Sequence, residues 1–232
     1  MNYSTTDFTL GILGGGQLGK MLLQVTSRLS IKTNVLDPSD DSPCKEICSE
    51  FTKGQLMDFD AVYNFGKKCD VVTYEIEHVN VDALEKLERN GVNVYPDSKT
   101  LKIIQDKSTQ KDFFLKNNIP TANHKYFKSL KDLENIKYPC VWKKTKFGYD
   151  GYGVKILKSK EDFKNLPETE FIIEDLIPFK KELATTVARN KSGQIEIFPI
   201  VEMMFNETSN QVEYVLCPAQ ISPELNERAK KI

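Results

Sequence analysis

The sequence predicts an α/β protein, with an N-terminal Rossmann-like domain built on a parallel sheet and a second part of α+β character. Between Phe8 and Gly91, short apolar runs alternate with amphipathic helical stretches, which is the pattern of successive βαβ units. After Pro96-Asp97-Ser98 the pattern changes, and from Leu183 onward turn residues separate short apolar runs, as in antiparallel strands. We therefore expect a first domain over residues 1–98, followed by residues 99–182 and 183–232 as further parts.

The elements of the first domain follow from apolar periodicity and from residues that start or stop helices. Asp58 is typical of a helix N-cap, and Gly91 of the left-handed residue that follows a helix. The predicted strands cover residues 8–13, 32–36, 71–74 and 92–95, and the predicted helices cover residues 17–29, 58–68 and 81–90.

The second part has fewer helices and more short strands. Ser159 and Asp162 have the spacing of a capping box, and Ser222-Pro223 is a typical helix start. Ile119-Pro120-Thr121 indicates an extended segment. The other predicted elements are a helix over residues 100–117, strands over 140–143, 154–157 and 171–174, and antiparallel strands over 183–189, 195–202 and 212–216.

Composition and charge exclude several classes of protein. The 232 residues are 40% hydrophobic and carry a net charge of −1. The composition is that of an ordinary globular protein, without the excess of positive charge that attracts nucleic acids or anionic membranes. No apolar run reaches the roughly 18 residues of a membrane helix, and the polar start does not resemble a signal peptide. Five scattered cysteines and two histidines argue against a disulfide framework or a zinc site, and favour the cytoplasm.

A glycine-rich turn, Gly14-Gly15-Gly16-Gln17-Leu18-Gly19, joins the first strand to the first helix. Its glycines allow close backbone approach to an anion at the positive end of the helix dipole. With Asp37 at the end of the next strand it matches the dinucleotide fingerprint. The P-loop pattern fails at Met21, which cannot bind Mg²⁺ as Ser or Thr does. A tight turn without any ligand remains open.

Glu75 and Glu77 follow the third strand, at the edge where open parallel sheets bind ligands. Successive side chains of an extended segment alternate, so one of the two carboxylates is expected to face the crevice. His78 alone is more typical of a hydrogen-bonded structural residue.

The segment 142–154 combines lysines and glycines between two strands. Lys143 lies on the strand that enters this loop, and mobile backbone donors beside positive charge are what a polyphosphate needs from a covering flap. Glu174-Asp175 at a later strand end, followed by Glu182, completes a lysine, a loop and acids in the order of a nucleotide cleft. A solvated basic hairpin and a charged loop are the alternatives.

Five motifs together resemble N5-carboxyaminoimidazole ribonucleotide synthase, an ATP-grasp enzyme of purine biosynthesis, along the whole chain. They are Gly14-Gly-Gly-Gln-Leu-Gly19, Tyr74-Glu-Ile-Glu-His78, Asp106-Lys-Ser-Thr-Gln-Lys111, Gly148-Tyr-Asp-Gly151 and Asn210-Gln-Val-Glu-Tyr-Val215. The resemblance implies that ATP activates bicarbonate as carboxyphosphate, which carboxylates the exocyclic amine of aminoimidazole ribonucleotide. It implies ATP with Mg²⁺ (or Mn²⁺), a homodimer at full length, an ATP-grasp small lobe over residues 99–182 and the start of the large lobe over 183–232.

The resemblance also implies roles for individual residues. Lys107 and Lys143 are implied phosphate contacts, residues 174–177 the adenine hinge, and Glu182 the ribose contact. The phosphate-covering loop contains Gly148, Gly151 and Gly153, and the hinge contains Glu174, Asp175, Leu176 and Ile177. Tyr149 and Asp150 resemble residues of the carboxylation site, and Gly16, Gln17, Leu18 and Glu75 resemble the substrate side. Tyr152, Val154 and Phe205 depart from the residues common in relatives, so their individual contacts are not carried over.

The Mg²⁺ ligands of ATP-grasp enzymes are acids and amides on late strands of the large lobe, and we expect them beyond Ile232. The acids near the end form no metal pair that the sequence identifies; they are Glu196, Glu202, Glu207 and Glu213. Two other hypotheses remain at this stage. One is a nicotinamide-dependent oxidoreductase built on the glycine turn and Asp37, and the other is a non-catalytic fragment that binds nucleotide weakly or not at all.

Overall fold

The structure, a computed structural model, describes residues 7–133, 135–148, 153–206 and 212–232. The chain divides into two compact units, Met1–Thr109 and Gln110–Ile232. The first has a parallel sheet and the second has antiparallel sheets, as the predicted fold class requires. In the described part of the chain, no helix has the length and apolar character needed to cross a bilayer.

The first unit is built on a five-stranded parallel sheet in the order β3-β2-β1-β4-β5. Leu13 at the end of β1 is paired with Leu36 of β2 and with Tyr74 of β4. The carboxyl ends of these three strands therefore lie at one edge of the sheet. The strands are β1 (Thr9–Leu13), β2 (Lys32–Asp37), β3 (Glu50–Lys53), β4 (Val71–Tyr74) and β5 (Asn93–Val94).

Helices cover both faces of this sheet. On one face Leu13 and Leu36 pack with Leu84 and Leu87 in the larger core, and on the other Ile12 packs with Leu23 and Cys44. The helices are α1 (Gln17–Arg28), α2 (Phe59–Gly66), α3 (Val81–Arg89) and α4 (Ser98–Ile104). Asp58 caps α2 as predicted, because its side chain accepts a hydrogen bond from the backbone N–H of Ala61 at 2.7 Å.

The single helix predicted over residues 100–117 is wrong, because the chain forms α4 and then α5 (Lys107–Lys116). Asp106 causes the break: its Oδ1 accepts from the backbone N–H groups of Ser108 at 2.9 Å and Thr109 at 3.2 Å, as an N-cap does. A second capping residue, Asp97, accepts from Thr100 N at 2.8 Å and starts α4. Two aspartates that looked like ordinary polar residues therefore set the helix bounds.

The second unit contains a four-stranded antiparallel sheet in the order β6-β9-β7-β8. Its strands are β6 (His124–Phe127), β7 (Cys140–Lys144), β8 (Val154–Leu157) and β9 (Phe171–Asp175). Trp142 is opposite Ile173 and Val141 is opposite Glu174, so the two faces of the sheet carry different side chains. One face, with Trp142, Phe171 and Ile173, forms the apolar core of the unit, and Lys143 and Glu174 lie on the other.

Three short antiparallel pairings complete the second unit. The strands predicted over 183–189 and 195–202 are each divided in two, because β10 pairs with β13 while β11 and β12 form a separate hairpin. The remaining elements are β10 (Glu182–Ala184), β11 (Val187–Arg189), β12 (Ile195–Ile197), β13 (Val201–Phe205), β14 (Val212–Leu216) and α6 (Pro223–Lys231). Ser222 caps α6 as predicted, at 3.2 Å from Leu225 N. The domain boundaries after residues 98 and 182 remain predictions.

Candidate functional site

The glycine-rich turn is fixed by Asp37 and by the end of β2. Gly14 has a φ of +98°, a conformation that favours glycine, and its N–H donates to the Leu36 carbonyl at 2.9 Å. The N–H of Gly15 donates to Asp37 Oδ2 at 2.7 Å, and Asp37 Oδ1 accepts from Ser39 N at 2.8 Å. Both oxygens of Asp37 are thus used to hold the turn and the following loop, whereas the nicotinamide hypothesis requires that carboxylate for a ribose.

Glu75 brings its carboxylate to the same turn. A Cβ atom at Gly16 would lie 2.6 Å from Glu75 Oε1, and one at Gly14 would lie 2.7 Å from Oε2. The carboxylate lies at the N-terminal end of α1, where the backbone of Gly19 and Leu18 acts to lower its pKa. Burial outweighs this effect and raises the pKa of Glu75, and the neighbouring Asp37 adds to the increase. The positive end of the helix, where an external anion was expected, therefore holds an internal carboxylate.

The loop after β2 supports the turn from its other side. Ser42 Oγ donates to the Gly15 carbonyl at 2.8 Å, and the Cys44 N–H donates to the same oxygen at 3.3 Å. Cys44 is buried beneath the turn, and this burial raises the pKa of its thiol to about 11, so it is a neutral packing group at pH 7. The predicted substrate residues Gly16, Gln17, Leu18 and Glu75 thus lie together in the first unit, with Gln17 and Leu18 exposed.

In the second unit, Lys143 and Glu174 belong to a partly buried cluster of charged side chains. Lys143 Nζ lies 2.7 Å from Glu174 Oε2, and Lys111 Nζ lies 2.9 Å from Oε1. Burial acts to raise the pKa of Glu174, but the two ammonium groups outweigh it and hold the pKa below its usual range. The carboxylate is therefore ionised at pH 7 and shared between two lysines.

Lys111 is the residue of this cluster that the sequence reasoning missed. Besides this ion pair, its ammonium donates a hydrogen bond to Thr121 Oγ1 at 2.5 Å, in the segment that follows α5. Lys107, which the resemblance implies as a phosphate contact, is the first residue of α5, one helical turn before Lys111. This spacing of two lysines in the motif Asp106–Lys111 was the available signal, but only the first lysine was singled out.

The two ends of the glycine-rich loop lie close together. The Lys144 N–H donates to the Gly153 carbonyl at 2.8 Å, and a Cβ at Gly153 would lie 3.5 Å from Gly148 Cα, so the two ends of the loop meet. Gly153 has a φ of +77° and Phe147 a φ of +59°. Tyr149, Asp150, Gly151 and Tyr152 lie outside the described residues.

The predicted adenine hinge continues β9. The Asp175 N–H donates to the Asn123 carbonyl at 3.0 Å, and Asp175 Oδ2 accepts from Asn123 Nδ2 at 2.9 Å, which joins the strand end to the start of β6. Leu176 is half-buried and Ile177 is exposed. Glu182 begins β10 opposite Met203 and is half-buried.

The described residues do not offer a ligand set for the Mg²⁺ that the resemblance implies. Within residues 7–133, 135–148, 153–206 and 212–232, no three His, Cys, Asp or Glu side chains are grouped so as to hold a metal ion. Glu202, one of the late acids, is buried, and its Oε2 accepts from Lys181 Nζ at 2.9 Å and from Gln220 N at 3.3 Å. That carboxylate is used to join β13 to neighbouring segments.

Both units match known families. Residues 8–105 match the ribonucleotide synthetase preATP-grasp domain, and residues 112–232, more than half of the chain, match the ATP-grasp domain. The chain belongs to the ATP-grasp family. The resemblance inferred from its motifs is confirmed by the relatives it matches.

Two of these ATP-grasp relatives are curated enzymes. The N5-carboxyaminoimidazole ribonucleotide synthase of Staphylococcus aureus is 34% identical over 250 residues, and the match covers all of this chain and 64% of the relative. The phosphoribosylaminoimidazole carboxylase of Candida glabrata is 35% identical over 235 residues, which are 96% of this chain and 41% of the relative. The chain thus spans between two fifths and two thirds of the length of these relatives.

A solved structure shows the same ATP-grasp fold. The N5-carboxyaminoimidazole synthase of Aspergillus clavatus, in complex with ADP and 5-aminoimidazole ribonucleotide, is 32% identical with a TM-score of 0.83. The match covers 97% of this chain and 60% of that one. One of its ligands, 5-aminoimidazole ribonucleotide, is the substrate that the resemblance implied, and the other, ADP, is what remains of ATP after loss of the γ-phosphate.

Proposed function

We propose that this chain carries the nucleotide-binding and substrate-binding parts of an ATP-dependent carboxylase that acts on 5-aminoimidazole ribonucleotide. The observation that carries this proposal is the cluster of Lys143, Lys111 and Glu174 on one face of the second sheet, together with a solved relative that holds ADP and the aminoimidazole nucleotide. The products are N5-carboxyaminoimidazole ribonucleotide, ADP and phosphate.

Most of the ATP contacts in this proposal belong to the second unit, and Lys107 precedes the first residue of that unit on the same helix, α5. Lys143 and Lys107 attract the phosphates, because an ammonium group forms strong charge-assisted hydrogen bonds with phosphate oxygens. The loop from Gly148 to Gly153 covers them with backbone donors, Gly151 among them. Residues 174–177 (Glu174, Asp175, Leu176 and Ile177) bind the adenine edge, and Glu182 accepts from the ribose hydroxyl groups.

The first unit supplies the substrate contacts. Backbone groups of Gly16, Gln17 and Leu18 form the wall of the crevice, and the Glu75 carboxylate accepts hydrogen bonds from the nucleotide. This assignment is supported by the way Asp37, Ser42 and Cys44 hold the turn rigid, since a binding backbone must be fixed before the ligand arrives.

The reaction has two steps. A bicarbonate oxygen attacks the γ-phosphorus of ATP, the bond from that phosphorus to the β–γ bridging oxygen breaks, and ADP leaves carboxyphosphate behind. The exocyclic amine then attacks the carboxyl carbon, phosphate leaves, and the amine loses one proton. Tyr149 and Asp150 are assigned to this second step, with Asp150 orienting or deprotonating the amine.

Bound Mg²⁺ or Mn²⁺ neutralises charge on the phosphates in phosphoryl transfer generally, and the described residues give no ligands to which we assign it. We further propose a homodimer for the complete enzyme and a cytoplasmic location. All five cysteines are free thiols, as a reducing compartment allows.

ADP release tests the proposed function directly. The protein, purified at the length of its natural reading frame, is mixed with ATP, Mg²⁺, bicarbonate and aminoimidazole ribonucleotide, and each component is omitted in turn. We expect ADP release only in the complete mixture, and mass-balanced formation of the carboxylated nucleotide. Folded protein that releases no ADP under these conditions contradicts the assignment, and saturable NADH binding in a fluorescence titration favours the oxidoreductase instead.

The same protein and this chain alone are titrated with ATP, with and without Mg²⁺. If the protein of the natural reading frame binds ATP and this chain alone does not, the chain by itself lacks part of the nucleotide site. Binding by both places the main nucleotide contacts within these residues.

A further inference from the structure

Lys111 belongs to the charge cluster, yet it is not among the ATP contacts that the resemblance implies. It lies on α5, its side chain is 11% exposed, and it contacts both Glu174 Oε1 and Thr121 Oγ1. Lys143 lies on β7, is 29% exposed, and contacts the other oxygen of Glu174. The carboxylate between them is 5% exposed. The two lysines thus differ in burial and in the number of groups that hold them.

The charges of the cluster do not cancel. Two ammonium groups share one carboxylate, so the three side chains have a net charge of +1 on the sheet face that carries Lys143. If Lys111 were absent, Glu174 and Lys143 would form a neutral pair at 2.7 Å. An anion that approaches Lys143 would then have to compete with a buried carboxylate for the same ammonium, in surroundings where water screens charge poorly.

We propose that Lys111 is a positioning residue of the phosphate site: it holds and neutralises Glu174, so that Lys143 keeps its positive charge for the phosphates of a nucleotide. This inference rests on the proposed function for the identity of the ligand. Thr121 fixes the Lys111 ammonium at a second point, which keeps it on Glu174 when the phosphates arrive. Lys111 itself does not contact the nucleotide.

Substitution of Lys111 by methionine tests the charge argument, because methionine keeps much of the side-chain length without the ammonium. We expect ATP to bind this variant at least about tenfold more weakly, which is the size of effect expected when a hydrogen bond to a charged group is lost. Lys111→Arg keeps the positive charge, so its affinity for ATP should stay within about threefold of the wild-type affinity, a smaller change than the loss of one hydrogen bond causes. Binding is measured by calorimetry at a temperature well below the melting point of each variant.

The double variant Lys111→Met, Glu174→Gln distinguishes charge balance from packing. It restores the net charge of the cluster to +1 and leaves the backbone of residue 174 in the hinge unchanged, so ATP affinity should recover most of the loss caused by Lys111→Met alone. If Lys111 served only to pack the fold, ATP affinity would not recover, because Glu174→Gln does not restore the packing contacts that Lys111→Met removes. Lys164→Met, in an exposed 3-10 turn of the same unit, removes one positive charge elsewhere and should leave affinity unchanged.

Inorganic triphosphate, titrated in parallel, separates this inference from the proposed function. If the wild type binds triphosphate but not ATP, the nucleotide assignment fails, and the same variants still decide the role of Lys111 through the triphosphate affinities. If Lys111→Met binds as well as the wild type, or the double variant binds no better than the single one, the positioning role is overturned while the proposed function stands. Binding of neither ligand overturns both. Lys111→Gln, which keeps a donor for Thr121, replaces the methionine variant if the latter does not fold.

Discussion

At the scale of single residues, Glu75 shows how a sequence motif can be recognised before its local chemistry is known. The glycine turn was expected to present the positive end of α1 to an outside anion, yet the Glu75 carboxylate already lies there, with Oε1 2.6 Å from the position of a Cβ atom at Gly16. The turn therefore presents the hydrogen-bond acceptors of this carboxylate. Hydroxyl and amine groups of a ligand are its natural partners.

The raised pKa of Glu75 leads to a prediction about stability and pH. A carboxyl group whose pKa is higher in the folded than in the unfolded protein contributes least to stability when it is ionised, so its cost appears as pH rises through and above its ordinary value of 4.5. We expect Glu75→Gln to gain stability relative to the wild type between pH 4 and pH 7 as the pH rises. Urea unfolding at several pH values measures this difference.

The matched control for that experiment is Glu46→Gln, an exposed carboxyl in the same unit. Its stability curve should run parallel to that of the wild type across the same pH range. Parallel curves for Glu75→Gln as well would show that the carboxylate is not held in a costly ionised state.

The residues of the site differ in how well the sequence reveals them. Lys143 and Glu174 were assigned separately, as a phosphate contact and as part of the hinge, and the structure joins them at 2.7 Å. Lys111 could not be placed with them from the sequence, because the contact depends on how α5 packs on the sheet of the second unit. Local motifs indicate residue types well, but contacts between distant segments come from the fold.

At the scale of elements, the junction of α3 with α4 illustrates how a buried polar contact fixes a helix. Glu88 of α3 accepts from Ser98 N at 2.9 Å and from Ser98 Oγ at 2.5 Å, and Ser98 is buried at the start of α4. Leu101 of α4 enters the main core of the first unit. The carboxylate of Glu88 thus satisfies two donors that have no access to water.

We predict that Glu88→Ala destabilises the first unit by about 1–3 kcal/mol, the cost of leaving buried donors without a partner. Glu85→Ala, on the same helix, removes a carboxylate that pairs with the exposed Lys102 and Arg89, and should cost clearly less than Glu88→Ala. Chemical denaturation of both variants gives the comparison. Equal losses would mean that the Ser98 contact is worth no more than a surface ion pair.

Helices and strands were predicted with unequal success for a physical reason. Caps such as Asp58 and Ser222 act within a few residues, so they can be recognised locally, although the cap at Asp106 was overlooked. The strand β3 was missed because Glu50–Lys53 lacks a clear apolar run and is strand only through pairing with β2. The strand β6 likewise depends on β9, which comes much later in the chain.

At the scale of the whole molecule, the two units carry different parts of the proposed chemistry. The substrate turn with Glu75 belongs to the first unit, and the charge cluster with Lys143 belongs to the second. Each unit has its own apolar core. A substitution in the site of one unit is therefore not expected to disturb the site of the other unit. Sites that share no interaction partners usually behave additively.

This division predicts that binding of the two ligands can be lost separately. Lys143→Met should weaken ATP binding about tenfold or more and leave binding of aminoimidazole ribonucleotide unchanged. Gly16→Ala places a Cβ 2.6 Å from Glu75 Oε1 at a φ of −72°, which alanine adopts readily, so it should displace the carboxylate and weaken only the substrate. The melting temperature, measured with each ligand in turn, reports each affinity because a ligand that binds the folded state raises it. Loss of both ligand responses in either folded variant would contradict the assignment of the two sites to separate units.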